Sequence, residues 1–204
     1  MDRRERLSSA RLYVVTDARA QKGNLESFLD AILGAGVDIV QLREKDAEAG
    51  DVIRWAGPFK EAAARHGALF IVNDRPDVAL AAGADGVHLG QNDLPVEVAR
   101  RILGPDALIG LSCHGVPDYE TASPEADYLT AGPVYETPTK PGRPGTGSEL
   151  VRYAAASVQR PWFAIGGIDA SNAAECIRAG AAGVAVIRAA RDARALVEAI
   201  DAAR

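Results

Sequence analysis

AGVDIVQLR, residues 35–43, returns with changes as AGADGVHLG at 82–90 and as AGAAGVAVI at 179–187. In each copy an Ala-Gly pair closes a helical pattern, and an apolar, β-rich run follows within a few residues. Glycine just past the last helical residue is a common helix stop, and a short apolar run after it reads as a buried strand. The starting positions 35, 82 and 179 fit a unit of about 24 residues, taken twice and then four times. Eight such units account for most of the 204 residues.

The same alternation runs along the whole chain. Strand candidates are LYVVT (12–16), DIVQLR (38–43), LFIVN (69–73), GVHL (86–89), LIGLS (108–112), YLTAG (128–132), WFAIG (162–166) and GVAVI (183–187). Most are apolar at consecutive positions, as parallel strands covered on both faces are. Amphipathic segments fill the gaps. NLESFLDAILGAG starts from Asn24 as N-cap and stops at Gly34 or Gly36; DASNAAECIRAG starts from Ser171 and closes at Gly180; RDARALVEAIDAA supplies a last helix. Repeated βα units without a second domain predict an α/β fold, a single (β/α)8 TIM barrel over residues 11–204 behind a frayed tail at 1–10. An open doubly wound sheet is the competing architecture. It is disfavoured because no G-x-G-x-x-G opens the first strand–helix turn.

Composition narrows the function classes. Hydrophobic residues make up 48% and charged residues 25%, ordinary for a globular domain. A net charge of −5 does not suggest a nucleic-acid surface. No apolar run approaches the roughly 20 residues that a spanning helix needs. The charged start MDRRERLSSA is not followed by the apolar segment of a secretory signal. Cys113 and Cys176 form no metal-ligand spacing, so a reduced, cytoplasmic setting is expected.

In such a barrel, ligands meet the residues at the C-terminal ends of the strands. Gln41, Arg43, Glu44 and Lys45 follow the second strand, Asn73, Asp74 and Arg75 the third, and His88, Gln91 and Asp93 the fourth. The fifth ends in Ser112, with His114 beyond it; Gly166 and Gly167 follow the seventh, and the eighth ends at Ile187 and Arg188. A single polar residue at a strand end is usually solvated or caps a helix. Here the joint pattern points to chemistry. Asn73-Asp74 and Asp93 follow adjacent strands, so their oxygens can converge on a hard cation such as Mg²⁺, with Arg43 and Lys45 beside it. Cations together with a metal imply a ligand of several negative charges, such as a pyrophosphate. The glycine pair and the turn after Ile187 suit a second anion, because loops after strands 7 and 8 commonly bind phosphate through backbone N–H groups.

The sixth strand leads into AGPVYETPTKPGRPGTG, residues 131–147. Its four Pro and four Gly exclude helix and interior strand, and Thr137, Thr139, Lys140 and Arg143 give it hydroxyls and cations. Such a segment reads as a lid that closes over a phosphorylated ligand and excludes water.

QLREK (41–45), VND (72–74), GVHLGQNDLP (86–95), GLSCH (110–114), the 131–147 loop, FAIGGI (163–168) and GVAVIRA (183–189) together resemble the thiamine phosphate synthase family. The motifs appear in order from residue 12 to about 190, and GVHLGQ-x-D with GP-x(3)-T-x-T-K is the specific combination. The resemblance implies a (β/α)8 barrel that takes two phosphorylated small molecules. It joins 4-amino-2-methyl-5-hydroxymethylpyrimidine pyrophosphate to 4-methyl-5-(2-phosphoethyl)thiazole with Mg²⁺, giving thiamine phosphate and pyrophosphate by a dissociative substitution. It assigns Asp74 and Asp93 to the metal. It assigns Arg43, Lys45 and Asn73 to pyrophosphate and pyrimidine, Gln41 to the pyrimidine, and Ser112 and Lys140 to the surroundings of the pyrophosphate. Thr137 and Thr139 go to the thiazole phosphate, and Gly167, Ile187 and Arg188 to its backbone cradle. Arg188 departs from the small hydroxyl residue often found at that place in the family.

Two other readings stand beside this one. A thiazole tautomerase barrel carries a loop histidine after the sixth-strand glycine, where this chain has Pro133. A non-catalytic phosphate binder would keep Gly166-Gly167 without needing the acidic pair. His88 is read as a satisfied structural histidine at least as readily as a substrate contact, and His114 stands evenly between the two. Cys113, Cys176, Trp55 and Trp162 are read as packing residues, and Glu44 as an orienter of the two bases that flank it. Whether the chain forms a homo-oligomer is not fixed by the sequence.

Overall fold

The computed structural model describes residues 2–137 and 145–204. Among them, eight parallel strands close a barrel in chain order: β1 (Leu12–Thr16), β2 (Ile39–Leu42), β3 (Leu69–Asn73), β4 (Gly86–Leu89), β5 (Leu108–Cys113), β6 (Tyr128–Ala131), β7 (Trp162–Ile165) and β8 (Gly183–Val186). β8 pairs with β1 through Leu12–Val184, Tyr13–Ala185 and Val14–Val186, which excludes an open sheet. The helices are α1 (Arg3–Ser9), α2 (Leu25–Gly34), α3 (Ala49–His66), α4 (Pro76–Ala82), α5 (Val96–Leu103), α6 (Val116–Glu120), α7 (Gly147–Ser157) and α8 (Ala173–Arg178). A 3-10 turn at Arg188–Asp192 then leads into α9 (Ala193–Asp201). No described helix is long and apolar enough to cross a membrane.

Strands that read as apolar on both faces are sorted by parity. Leu12, Val14, Val40, Leu42, Phe70, Val72, Val87, Leu89, Ile109, Leu111 and Val184 face outward and pack under the helices. Tyr13, Val15, Ile39, Leu69, Ile71, Leu108, Tyr128, Phe163 and Ala185 fill the lumen. Successive side chains on a strand point to opposite faces, so each strand serves two cores. Carried one step further towards the C-terminal ends, the lumen parity reaches Gln41, Asn73, His88, Ser112 and Thr130. The lumen therefore ends in a polar layer.

The weak repeat has a physical cause at its fourth position. Asp38 accepts the N–H groups of Arg11 (2.8 Å) and Leu12 (3.1 Å). Asp85 accepts that of Phe70 and Asp127 that of Ile109, each at 2.9 Å. Each carboxylate stands just before its own strand and holds the start of the preceding neighbour, which satisfies backbone donors that the sheet leaves over. In the third copy the place is taken by Ala182.

The expected frayed tail is instead a helix. Asp2 and Glu5 form a reciprocal capping box at the start of α1, with both bonds at 2.8 Å. The arginines that made the segment look solvated are committed. Arg3 Nε donates to Asp85 (2.8 Å), Arg4 Nε to Asp127 (3.0 Å), and Arg6 Nη1 to the carbonyl of Ala68 (3.0 Å). Leu7 and Ala10 join the lumen cluster. α1 thus closes the N-terminal end of the barrel, opposite the polar layer.

Two helix starts also differ in detail. Asn24 occupies the N-cap of α2, but its side chain accepts from Arg19 Nε at 2.9 Å and makes no cap bond. α8 begins one residue later than expected, from Asn172, because the amide and hydroxyl of Ser171 both turn back to Asp169.

Candidate active site

Of the acidic and basic residues singled out after β2, β3 and β4, Arg43, Lys45, Asp74 and Asp93 meet at the C-terminal mouth, while Arg75 pairs with Asp77. Asp74 has φ +62°, a left-handed conformation uncommon outside glycine. Its N–H donates to the His88 carbonyl at 2.8 Å, so the end of β3 is pinned to β4 as the chain turns. Asp93 is fixed by accepting the Gly90 N–H at 2.6 Å. The two carboxyl groups lie within hydrogen-bonding reach of each other. Burial, and then Asp93, push the Asp74 carboxyl above its ordinary range, against the opposing pull of Lys45 and Arg43. Lys45 Nζ stands 3.6 Å from Asp74 Oδ2. Glu44 accepts the Ala18 N–H at 2.6 Å and ties down the loop after β1.

A cavity of about 480 Å³ opens over β5–β8. Ser112, His114, Thr137, Gly167, Ile187 and Arg188 are among its lining residues. Gly166 and Gly167 have φ +102° and +67°. The segment after β6 runs across them, with Val134 N donating to Ile165 O and Tyr135 N to Gly166 O, both at 2.9 Å. A Cβ on Gly166 would sit 2.5 Å from Pro133 Cα, and one on Gly167 2.6 Å from Tyr135 Cβ. Glycine is required there by conformation and by space. The described stems of the 131–147 loop are bridged to each other, since Thr146 N and Gly147 N donate to Pro133 O and Val134 O at 2.9 Å. Thr139, Lys140 and Arg143 lie outside the described residues.

The two halves of the mouth are distinct. Arg43, Lys45, Asp74 and Asp93 stand over β2–β4 and do not line the cavity over β5–β8. Ser112 belongs to both: it lines the cavity, its Oγ is 3.0 Å from His88 Nε2, and its carbonyl accepts from Gln91 Nε2 at 2.7 Å. Gln41 and Asn73 are joined below the acidic pair by a 2.6 Å bond from Gln41 Nε2 to Asn73 Oδ1. His88 is buried in hydrogen bonds with Tyr128 and Ser112, which favours its structural reading. His114 faces the cavity while its Nδ1 meets Gly132 O at 2.6 Å.

Both cysteines are buried, and burial raises their thiols, Cys113 to about 12 and Cys176 to about 11. Neither is a nucleophile near neutral pH. Sequence reading missed Tyr13 and Tyr128, whose hydroxyls join Gln41 to His88. An aromatic within an apolar strand reads as core. The signal that finds them is parity, since both share the lumen register of Gln41, Asn73 and Ser112.

Two carboxylates crowded together among cations form a donor set that suits a hard divalent ion completed by phosphate oxygens and water. Among the described residues no group of three or more metal-ligating side chains occurs.

The family model described as "Thiamine monophosphate synthase" matches residues 12–190, from the first residue of β1 to beyond β8. The chain is 55% identical over 190 residues to the curated thiamine-phosphate synthase of Acidothermus cellulolyticus, covering 92% of this chain and 90% of that one. It is 53% identical over 189 residues to that of Streptomyces avermitilis, covering 91% and 88%. Among solved structures, thiamine phosphate pyrophosphorylase from Pyrococcus furiosus superposes with a TM-score of 0.85 at 34% identity, covering 97% of this chain and 98% of that one. The likeness spans the barrel and both halves of its mouth, and on that extent the chain belongs to the thiamine monophosphate synthase family.

Proposed function

We propose that the chain couples 4-amino-2-methyl-5-hydroxymethylpyrimidine pyrophosphate with 4-methyl-5-(2-phosphoethyl)thiazole, releasing thiamine phosphate and pyrophosphate. The observation that carries this reading is the meeting of Asp74, Asp93 and Lys45 at the same mouth as the Gly166-Gly167 turn, with Ser112 common to both halves. A two-anion reaction needs such a pair of sites. A phosphate binder would need only the second.

In this reading Gln41 and Asn73 hold the pyrimidine. Arg43, Lys45, Ser112 and Lys140 meet the pyrophosphate. Thr137, Thr139 and the backbone at Gly167, Ile187 and Arg188 hold the thiazole phosphate. The bond from the pyrimidine methylene carbon to the pyrophosphate oxygen breaks, and its electron pair leaves with the pyrophosphate. The aminopyrimidine ring spreads the positive charge. The thiazole nitrogen then donates its lone pair to the same carbon. No side chain acts as nucleophile; the chain contributes leaving-group stabilisation, alignment and exclusion of water. Mg²⁺ fits the crowded carboxylates of Asp74 and Asp93, whose mutual repulsion a cation relieves, and when bound it would neutralise charge on the departing pyrophosphate. Two buried free thiols suit the reduced cytoplasm.

The deciding experiment is an assay for thiamine phosphate from the two purified substrates, with Mg²⁺ and with excess chelator. Product that requires both substrates and the metal is expected. Absence of product with Mg²⁺ overturns the assignment, and full turnover in chelator overturns the metal site. Isomerisation of the thiazole phosphate alone would favour a tautomerase.

A further inference from the structure

One unbroken run of hydrogen bonds crosses the lumen below the mouth and links six strands. Gln41 Nε2 donates to Asn73 Oδ1 at 2.6 Å, and Tyr13 OH donates to Gln41 Oε1 at 2.6 Å. The Tyr13 and Tyr128 hydroxyls are 3.1 Å apart. Tyr128 OH lies 3.2 Å from His88 Nδ1, and His88 Nε2 lies 3.0 Å from Ser112 Oγ. Tyr13, Gln41, His88 and Tyr128 are each more than nine-tenths buried, so water does not rearrange the run freely.

A phenol has a single proton, and this fixes a direction. Tyr13 gives its proton to Gln41, so its oxygen receives that of Tyr128. The Tyr128 oxygen then receives Nδ1–H of His88, and with His88 a neutral imidazole its Nε2 receives the proton of Ser112. Burial holds both phenols well above their ordinary range, which keeps these protons in place. Turning one member alone sets donor against donor or acceptor against acceptor in a dry site, which is costly. Room for the central link is made by Gly110: a Cβ there would collide with the Tyr128 ring and with His88 Nδ1.

We propose that Tyr13 and Tyr128 are positioning residues for the coupling reaction, tying the amide orientation of Gln41 to the tautomer of His88 and the proton of Ser112. The donor and acceptor pattern beside the pyrimidine and that beside the leaving group are thereby set together. This rests on the roles given to Gln41 and Ser112 under Proposed function.

Tyr13→Phe and Tyr128→Phe keep the rings and remove the links. Phe163→Leu is the packing control, because Phe163 contacts both tyrosine rings (centroids 5.6 and 5.9 Å) through ring faces and edges alone. For Tyr13→Phe the KM for the pyrimidine pyrophosphate should rise about tenfold while that for the thiazole phosphate stays within about twofold. Phe163→Leu should lower stability without this split. Side-chain amide NMR of the unliganded protein gives a second readout. Ser112→Ala should move the Gln41 amide resonances in the wild-type background and leave them unmoved in Tyr128→Phe. Equal shifts in both KM values for Tyr13→Phe, or a Gln41 amide that answers to Ser112→Ala with Tyr128 replaced, would overturn the proposal. If the wild type makes no thiamine phosphate, the functional reading fails and the amide readout still decides the linkage.

Discussion

Lys45 Nζ and Asp74 Oδ2, 3.6 Å apart, join the end of β2 to the end of β3 immediately beside the carboxyl of Asp93. Lys45 pulls the Asp74 carboxyl down, but burial, and then Asp93, outweigh it and Asp74 remains raised. Asp93→Ala should therefore leave the fold intact and cost at least about tenfold in activity at low Mg²⁺, with partial recovery as Mg²⁺ is increased. A Mg²⁺ titration of thiamine phosphate formation checks this. Unchanged activity at low Mg²⁺ would remove Asp93 from the metal site.

Gly167→Ala places a Cβ 2.6 Å from that of Tyr135 on a backbone of φ +67°. The turn cannot absorb both insults without shifting. The KM for the thiazole phosphate should rise about tenfold or more, and that for the pyrimidine pyrophosphate should change little. Steady-state kinetics with each substrate varied in turn separates the two.

Lys140→Ala should slow the chemical step more than it weakens thiazole binding, because the family resemblance puts this ammonium by the leaving group. Single-turnover rates measure the step directly. An unchanged rate with a raised thiazole KM would give Lys140 a binding role only.

The two thiols carry a pH signature. Their folded values, about 12 and about 11, lie above the ordinary 9.0, so the native state disfavours thiolate. The stabilisation is fully present below pH 9 and is lost as pH rises from there through about 11 to 12, because the unfolded chain ionises first. Alkylation at pH 8 should be slow in the native protein and fast in denaturant. Rapid native labelling of Cys113 would contradict its burial.

Leu7→Ala should destabilise the protein by about 2–4 kcal/mol, lowering Tm by roughly 5–10 °C. Leu7 is only 3% exposed and packs into the lumen from α1. The KM values should not change, since α1 closes the end of the barrel away from the mouth. Thermal unfolding with parallel kinetics tests both halves of the statement.

The barrel was legible because each strand is a short apolar run bounded by helix stops, and the observed strands match the candidates to within one residue at either end. That Asp74, Asp93, Arg43 and Lys45 gather at one mouth was legible because charge just beyond an apolar run has few structural uses. What escaped depended on contacts distant in sequence. The tail looked solvated because Arg3 and Arg4 find Asp85 and Asp127 only when the barrel closes. Tyr13 and Tyr128 looked like core because their hydroxyl partners sit on other strands. The start of α8 was misplaced because Asp169 competes for Ser171.

The sorting of lumen and wall has a consequence for insertions and deletions. Along β2, Ile39 and Gln41 belong to one surface and Val40 and Leu42 to the other, letter by letter. Removing a single residue from such a strand would turn the Gln41 amide into the helical jacket and thrust a valine or leucine into the lumen. Loops between elements can lengthen freely by comparison, so variation in chain length is tolerated at the corners of this molecule and forbidden along its staves.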